Sequence, residues 1–162
     1  RVGGQGGTAG AHPRGFTGPW KRGMGVDMND GHRIAEVTGI TGAHGTARAS
    51  GTGHGFATSG NDSSVVIFDS KTYKTLGRIP AAKDADAIIY DPASKRVFTF
   101  NGDANSSTVI DPRKGTLLTN IPLGAKPEYG QSAKTGMIDV NLNDSSQIAE
   151  IDANSRKEAR RC

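Results

Sequence analysis

Short apolar runs recur along the later two thirds of the chain, each followed by a cluster of turn formers. Val65-Val66-Ile67-Phe68, Ala87-Ile88-Ile89-Tyr90, Val97-Phe98-Thr99-Phe100 and Val109-Ile110 are rich in β-branched and aromatic side chains. Gly60-Asn61-Asp62-Ser63, Asp91-Pro92-Ala93-Ser94 and Asp111-Pro112-Arg113-Lys114-Gly115 separate them. Runs of this length, punctuated in this way, predict strands. No stretch carries a helical period. Lys157–Arg161 could be a helical end but is too short to stand alone. The expected fold class is all-β.

The apolar pattern repeats. Val66-Ile67-Phe68-Asp69 matches Thr108-Val109-Ile110-Asp111 and Ala149-Glu150-Ile151-Asp152, with aspartates 42 and 41 residues apart. A step of 42 back from Asp69 reaches Asp27. Apolar residues also recur seven and ten places after the aspartates, at Ile34 and Val37, Leu76 and Ile79, and Leu118 and Ile121. Each complete unit divides into four strands. They are expected near 45–50, 55–59, 64–68 and 75–79; near 86–90, 96–101, 107–110 and 116–121; and near 129–133, 137–142, 147–151 and 157–161. Four short antiparallel strands per unit of this size is the pattern of a β-propeller blade. The recurring aspartate opens the turn between third and fourth strands, where it can bond the backbone two residues on.

Phe98-Thr99-Phe100-Asn101 stands where the YVTN β-propeller repeat family has its Tyr-Val-Thr-Asn strand. Phe56-Ala57-Thr58-Ser59 and Val140-Asn141-Leu142-Asn143 are weaker copies at the same offset. Residues 86–102 resemble the central blades of that family, as does Ile121-Pro122-Leu123-Gly124-Ala125-Lys126-Pro127-Glu128. The resemblance covers residues 44–155. It implies export to the periplasm or cell surface, and binding of proteins, ligands or nucleic acid. Family members usually have about seven blades, and this chain has room for about four.

Composition divides the chain. Of 23 glycines, 17 lie in residues 1–60 and only 6 beyond. Glycine weakens strands and adds no core. Residues 1–43 are therefore expected to form a degenerate first blade or an irregular cover, followed by repeats at about 44–85, 86–127 and 128–162. The net charge of +4, from 20 cations and 16 anions, is mild for a nucleic-acid binder. Cys162 is the single cysteine, so neither an internal disulfide nor a thiolate zinc site is expected. There is no apolar run long enough for a membrane span and no leader pattern. Arg1 in place of Met suggests a processed or truncated product. Too few blades for a ring leaves a partial propeller, completed by self-association or by the remainder of a longer chain.

Candidate chemistry follows from the repeat. His44, Asp86 and Glu128 coincide at the loop entering the first, innermost strand of three successive units. Converging side chains there could bind a small polar ligand, a protein or a divalent cation; ordinary solvated loop residues would look the same. Asn101 and Asn143 coincide at the end of the second strand and are further candidates, although asparagine also caps turns. His54 belongs to the opposite end of its strand and cannot share an ion with His44. Neither Gly3-Gly4-Gln5-Gly6-Gly7 nor Gly51-Thr52-Gly53-His54-Gly55 has the ending of a phosphate loop, and no Gly-x-Ser-x-Gly elbow occurs.

The leading expectation is a non-enzymatic binding or scaffolding propeller with its ligand surface at the channel mouth. The alternative is a metal-assisted hydrolase, lactonase-like or acting on phosphoesters. There a channel cation held by Asp86 or Glu128 would activate water, and His44 would serve as ligand or base. Nucleic-acid binding is a third option.

Overall fold

The structure is a computed structural model that describes residues 14–17, 23–27 and 32–162. It is built of antiparallel sheets. The first, with β1 (Arg14–Thr17), β2 (Gly23–Asp27) and β3 (Arg33–Val37), has three strands among the described residues. The second joins β4 (Thr46–Ala49), β5 (His54–Ser59), β6 (Ser64–Asp69) and β7 (Thr75–Pro80). The third joins β8 (Ala85–Asp91), β9 (Arg96–Asn101), β10 (Ser106–Asp111) and β11 (Thr116–Pro122). The fourth joins β12 (Pro127–Ser132), β13 (Met137–Leu142), β14 (Gln147–Asp152) and β15 (Lys157–Arg161). In each sheet neighbours in space are neighbours in sequence, so every blade is a meander of hairpins. Lys157–Arg161 is a strand, paired to β14, and not a helical end. Of residues 1–43, the parts outside β1, β2 and 32–43 lie beyond the described residues.

The blades stack face to face through three apolar clusters. Val37 and Ile40 meet Ala57, Val66, Phe68 and Tyr73 between the first and second sheets. Phe56, Val65 and Ile67 meet Ile88, Val97 and Ile110 between the second and third. Phe98, Phe100 and Val109 meet Ile138, Val140, Leu142 and Ile151 between the third and fourth. A strand buried on both sides needs apolar or paired residues at every position, and β9 is buried throughout from Val97 to Asn101. Each large side chain taken from water here contributes about 1.5–3 kcal/mol.

The turns are built as the aspartate repeat predicted. Asp69 Oδ1 accepts from the amides of Lys71 and Thr72 at 2.9 and 2.7 Å. Asp111 Oδ1 does the same with Arg113 and Lys114, and Asp152 Oδ1 with Asn154 and Ser155. Those amide donors hold the Asp69 and Asp152 carboxyls below their usual range.

The fourth repeat is one residue shorter in its first hairpin. The amides of Gly60 and Gly102 donate to Gly42 and Asp84 carbonyls, and the equivalent bond in the last blade runs from Asn143 to Lys126. Asn143 therefore holds the position of Gly102. The counterpart of Asn101 is Leu142, since Asn101 pairs with Ser106 and Leu142 with Gln147.

Candidate functional site

The inner strand β8 adjoins β4 of the blade before and β12 of the blade after, so the starts of successive blades lie side by side. Two of these starts carry a β-bulge. In β8, Ala85 pairs with Asn101 and Ala87 with Phe100, which leaves Asp86 as the extra residue. In β12, Pro127 pairs with Leu142 and Tyr129 with Asn141, which leaves Glu128 extra. A bulge kinks the strand and re-aims one side chain. Here it aims a carboxylate from the same place in successive blades.

Asp86 and His44 meet across the seam between the second and third blades. Nδ1 of His44 lies 3.5 Å from Oδ1 of Asp86, and both side chains are about a third exposed, at 36% and 31%. The seam beneath them is fixed by Thr58, whose hydroxyl donates to the Asp86 carbonyl at 2.9 Å and accepts from the Gly45 amide at 2.9 Å. Burial raises the Asp86 carboxyl above its usual range, and the neighbouring Asp84 carboxylate adds to this. His44 and Lys126 pull the other way.

Glu128 does not complete a metal-binding triad with these two. Its Oε1 accepts from Asn143 Nδ2 at 3.1 Å. Among the described residues no three His, Cys, Asp or Glu side chains stand together as a metal-binding group. The shortened hairpin explains the contact. It moves Asn143 to the exposed end of the blade, beside Glu128 on the adjacent strand.

Asn101 is fully buried. Its Oδ1 accepts from Thr99 at 2.7 Å, and its Nδ2 donates to Ser106 at 3.2 Å and Thr108 at 3.0 Å. These bonds hold the ends of β9 and β10 together, with the side chain wholly covered. His54 lies away from the site, with Nδ1 2.9 Å from the Pro112 carbonyl of the next blade.

Four charged residues that the repeat reading passed over stand at the same end. Asp84 and Lys126 occupy equivalent places in successive units, and both approach Gly102. A Cβ there would lie 2.8 Å from Asp84 Oδ2 and 3.0 Å from Lys126 Cε. Asp103 pairs with Lys83 at 3.1 Å. The available signal was the spacing of 42 between Asp84 and Lys126. Together these groups make a polar, mixed-charge rim with the His44–Asp86 pair at one seam.

This arrangement defines the class: an all-β protein of propeller-type blades. Hydrazine synthase of Kuenenia stuttgartiensis has a similar fold. The TM-score is 0.82 and the identity 15%, over 91% of this chain and 45% of that one. At that identity the likeness concerns the fold alone, and the chain spans less than half of the other protein's length. No family model and no curated protein matches the sequence. Among the described residues no helix is long and apolar enough to cross a membrane.

Proposed function

We propose that this chain is a binding propeller of the YVTN type, without catalytic activity, whose ligand surface is the rim at the start of the inner strands. The observation that carries the reading is the pair of bulges at Asp86 and Glu128. A β-bulge interrupts pairing, and two at equivalent places present carboxylates toward one end of the arc. The His44–Asp86 pair supplies a donor and an acceptor on adjacent blades, and Glu128 with Asn143 supplies a second polar pair. Such groups suit a small polar ligand or the polar side chains of a protein. The resemblance of residues 44–155 to the YVTN repeat supports a periplasmic or secreted setting.

The test is a binding screen with immobilised protein against polar metabolites and a peptide library. Hits should weaken at least about tenfold in His44→Ala and Asp86→Ala, a loss of about 1.4 kcal/mol. Thermal melts should show that both variants stay folded. Hits indifferent to both substitutions would remove this surface from consideration.

A further inference from the structure

Charge is divided between the two ends of the blades. At the rim end, the turns before β6, β8, β10, β12 and β14 carry four acids, Asp62, Asp84, Asp103 and Asp144, against two cations, Lys83 and Lys126. The opposite end is basic. The turns between third and fourth strands carry Lys71 and Lys74, then Arg113 and Lys114, then Arg156 in successive blades. The turns between first and second strands add Lys95 and Lys134. All seven side chains are exposed, and no acid occurs within these turns.

The acids that flank the turns sit deeper, at the strand ends. Asp69, Asp111 and Asp152 each accept two turn amides through Oδ1. Asp91 is fully buried and accepts from the Ser94 amide at 2.7 Å and from the Ser132 hydroxyl of the next blade. Seven cations at the tips outnumber these four carboxylates. Inner and outer turns are tied into one end: the Ser70 amide donates to the Gly53 carbonyl and the Ala153 amide to the Gly136 carbonyl, both at 2.8 Å. Stacked sheets lie about 10 Å apart, close to the screening length of about 8–10 Å at physiological salt. The fields of successive blades therefore add.

We propose that this end docks peripherally on an anionic lipid bilayer, with the blades upright and the rim turned away. Shape favours that occupant over a nucleic acid. Inner and outer turns of a blade are two strands apart, about 10 Å, and successive blades spread the tips about as far in the other direction. A planar surface reaches every tip, whereas a straight duplex follows one row of a curved arc. The one aromatic residue in these turns, Tyr73, is buried, so no base finds a stacking platform there. No large apolar side chain of these turns is exposed, so the contact stays at the headgroups. Acids at the rim are repelled by the same surface, which sets the orientation. Neither the first sheet nor the outward face of the last blade takes part, and the docking is independent of any ligand at the rim.

The test is co-sedimentation of the purified chain with vesicles of phosphatidylcholine alone, and of phosphatidylcholine with phosphatidylglycerol, at low and high salt. Binding is expected only with the anionic lipid and should weaken as salt rises. Lys95, Lys134 and Arg156 hold left-handed turn positions, with φ of 56°, 63° and 58°. Glycine suits such positions, and Gly53 and Gly115 are the equivalents of Lys95 and Arg156 in the preceding blades. The triple variant Lys95→Gly, Lys134→Gly and Arg156→Gly therefore removes charge and keeps the turns, and thermal melts should show it folded. It should bind anionic vesicles at least about tenfold more weakly, since each cation lost near the surface costs about fivefold. The double variant Lys83→Ala and Arg160→Ala, changed away from this end, should bind as the parent does. No binding to anionic vesicles overturns the proposal. So does binding that the triple variant leaves intact, an equal loss in the two variants, or release from the vesicles by an equal charge of DNA duplex.

Discussion

Ile67 of the second blade reaches into the place where Gly115 of the third has no side chain. Its Cδ1 lies 2.8 Å from the position of a Cβ there. One blade earlier the sizes are exchanged. Gly25 leaves room for the ring of Tyr73, whose Cε1 lies 2.6 Å from a Cβ placed on that glycine. Gly25 and Ile67 are equivalent, and so are Tyr73 and Gly115, so each of these two seams pairs one large residue with one glycine. Close-packed interiors tolerate such exchange only when the summed volume is kept.

Gly115→Ala should therefore destabilise the fold by about 1–3 kcal/mol, from overpacking against Ile67 and from a backbone φ of +66°. Urea denaturation reads the loss. Adding Ile67→Ala should relieve the clash but leave the strain of the backbone. If the double variant simply sums the two single effects, the volume exchange is not the cause.

Gly130 of β12 lies under the ring of Phe100, whose Cζ is 2.1 Å from a Cβ built on the glycine. Gly130→Ala should cost about 1–3 kcal/mol or more. Phe100→Leu in the same chain should recover part of it, measured by thermal melts. A neutral Gly130→Ala would show that the seam between the third and fourth blades opens freely.

Asn101→Ala should cost about 1–3 kcal/mol, because it removes the shared partner of Thr99 and Thr108 in a buried place. Ligand binding at the rim should persist once stability is accounted for. A variant of full stability that had lost binding would place Asn101 in the site.

Asp86 gives a pH dependence of definite sign. Its carboxyl is raised by burial first and by Asp84 second, so the folded chain holds this proton more tightly than the unfolded chain. Stability falls as pH climbs from the ordinary carboxylate range through the raised value, and the loss is complete above it. Asp86→Asn should be more stable than the parent near neutral pH, by less than about 1 kcal/mol for so exposed a group. The two should coincide in acid. Denaturation midpoints across pH test this, and a variant less stable at neutral pH would contradict it.

Asp69 and Asp152 run the opposite way. Backbone amides lower both carboxyls, so their contribution is present above the ordinary carboxylate range and is lost as pH falls through the lowered values. Asp69→Ala and Asp152→Ala should be destabilised at neutral pH, with the difference shrinking in acid. A difference constant with pH would mean that the ionised form has no special role in the turn.

The strands and their grouping into blades were legible because they rest on local rules. Alternation and β-branching mark strands, Asp and Gly mark turns, and the spacing of Asp69, Asp111 and Asp152 reports the repeat. Candidate residues were legible only as coincidences of numbering. That is how His44 and Asp86 came to be named together, and the seam bond of Thr58 does hold them 3.5 Å apart. The same arithmetic misaligned Asn143 with Asn101, because one residue is missing from a hairpin whose length the aspartate spacing does not resolve. The bulges at Asp86 and Glu128 and the Gly–Tyr and Ile–Gly exchange across the seams were decided by tertiary structure alone. Each depends on which side chain faces which blade, and a shift of one residue in register reverses that facing without altering the local pattern.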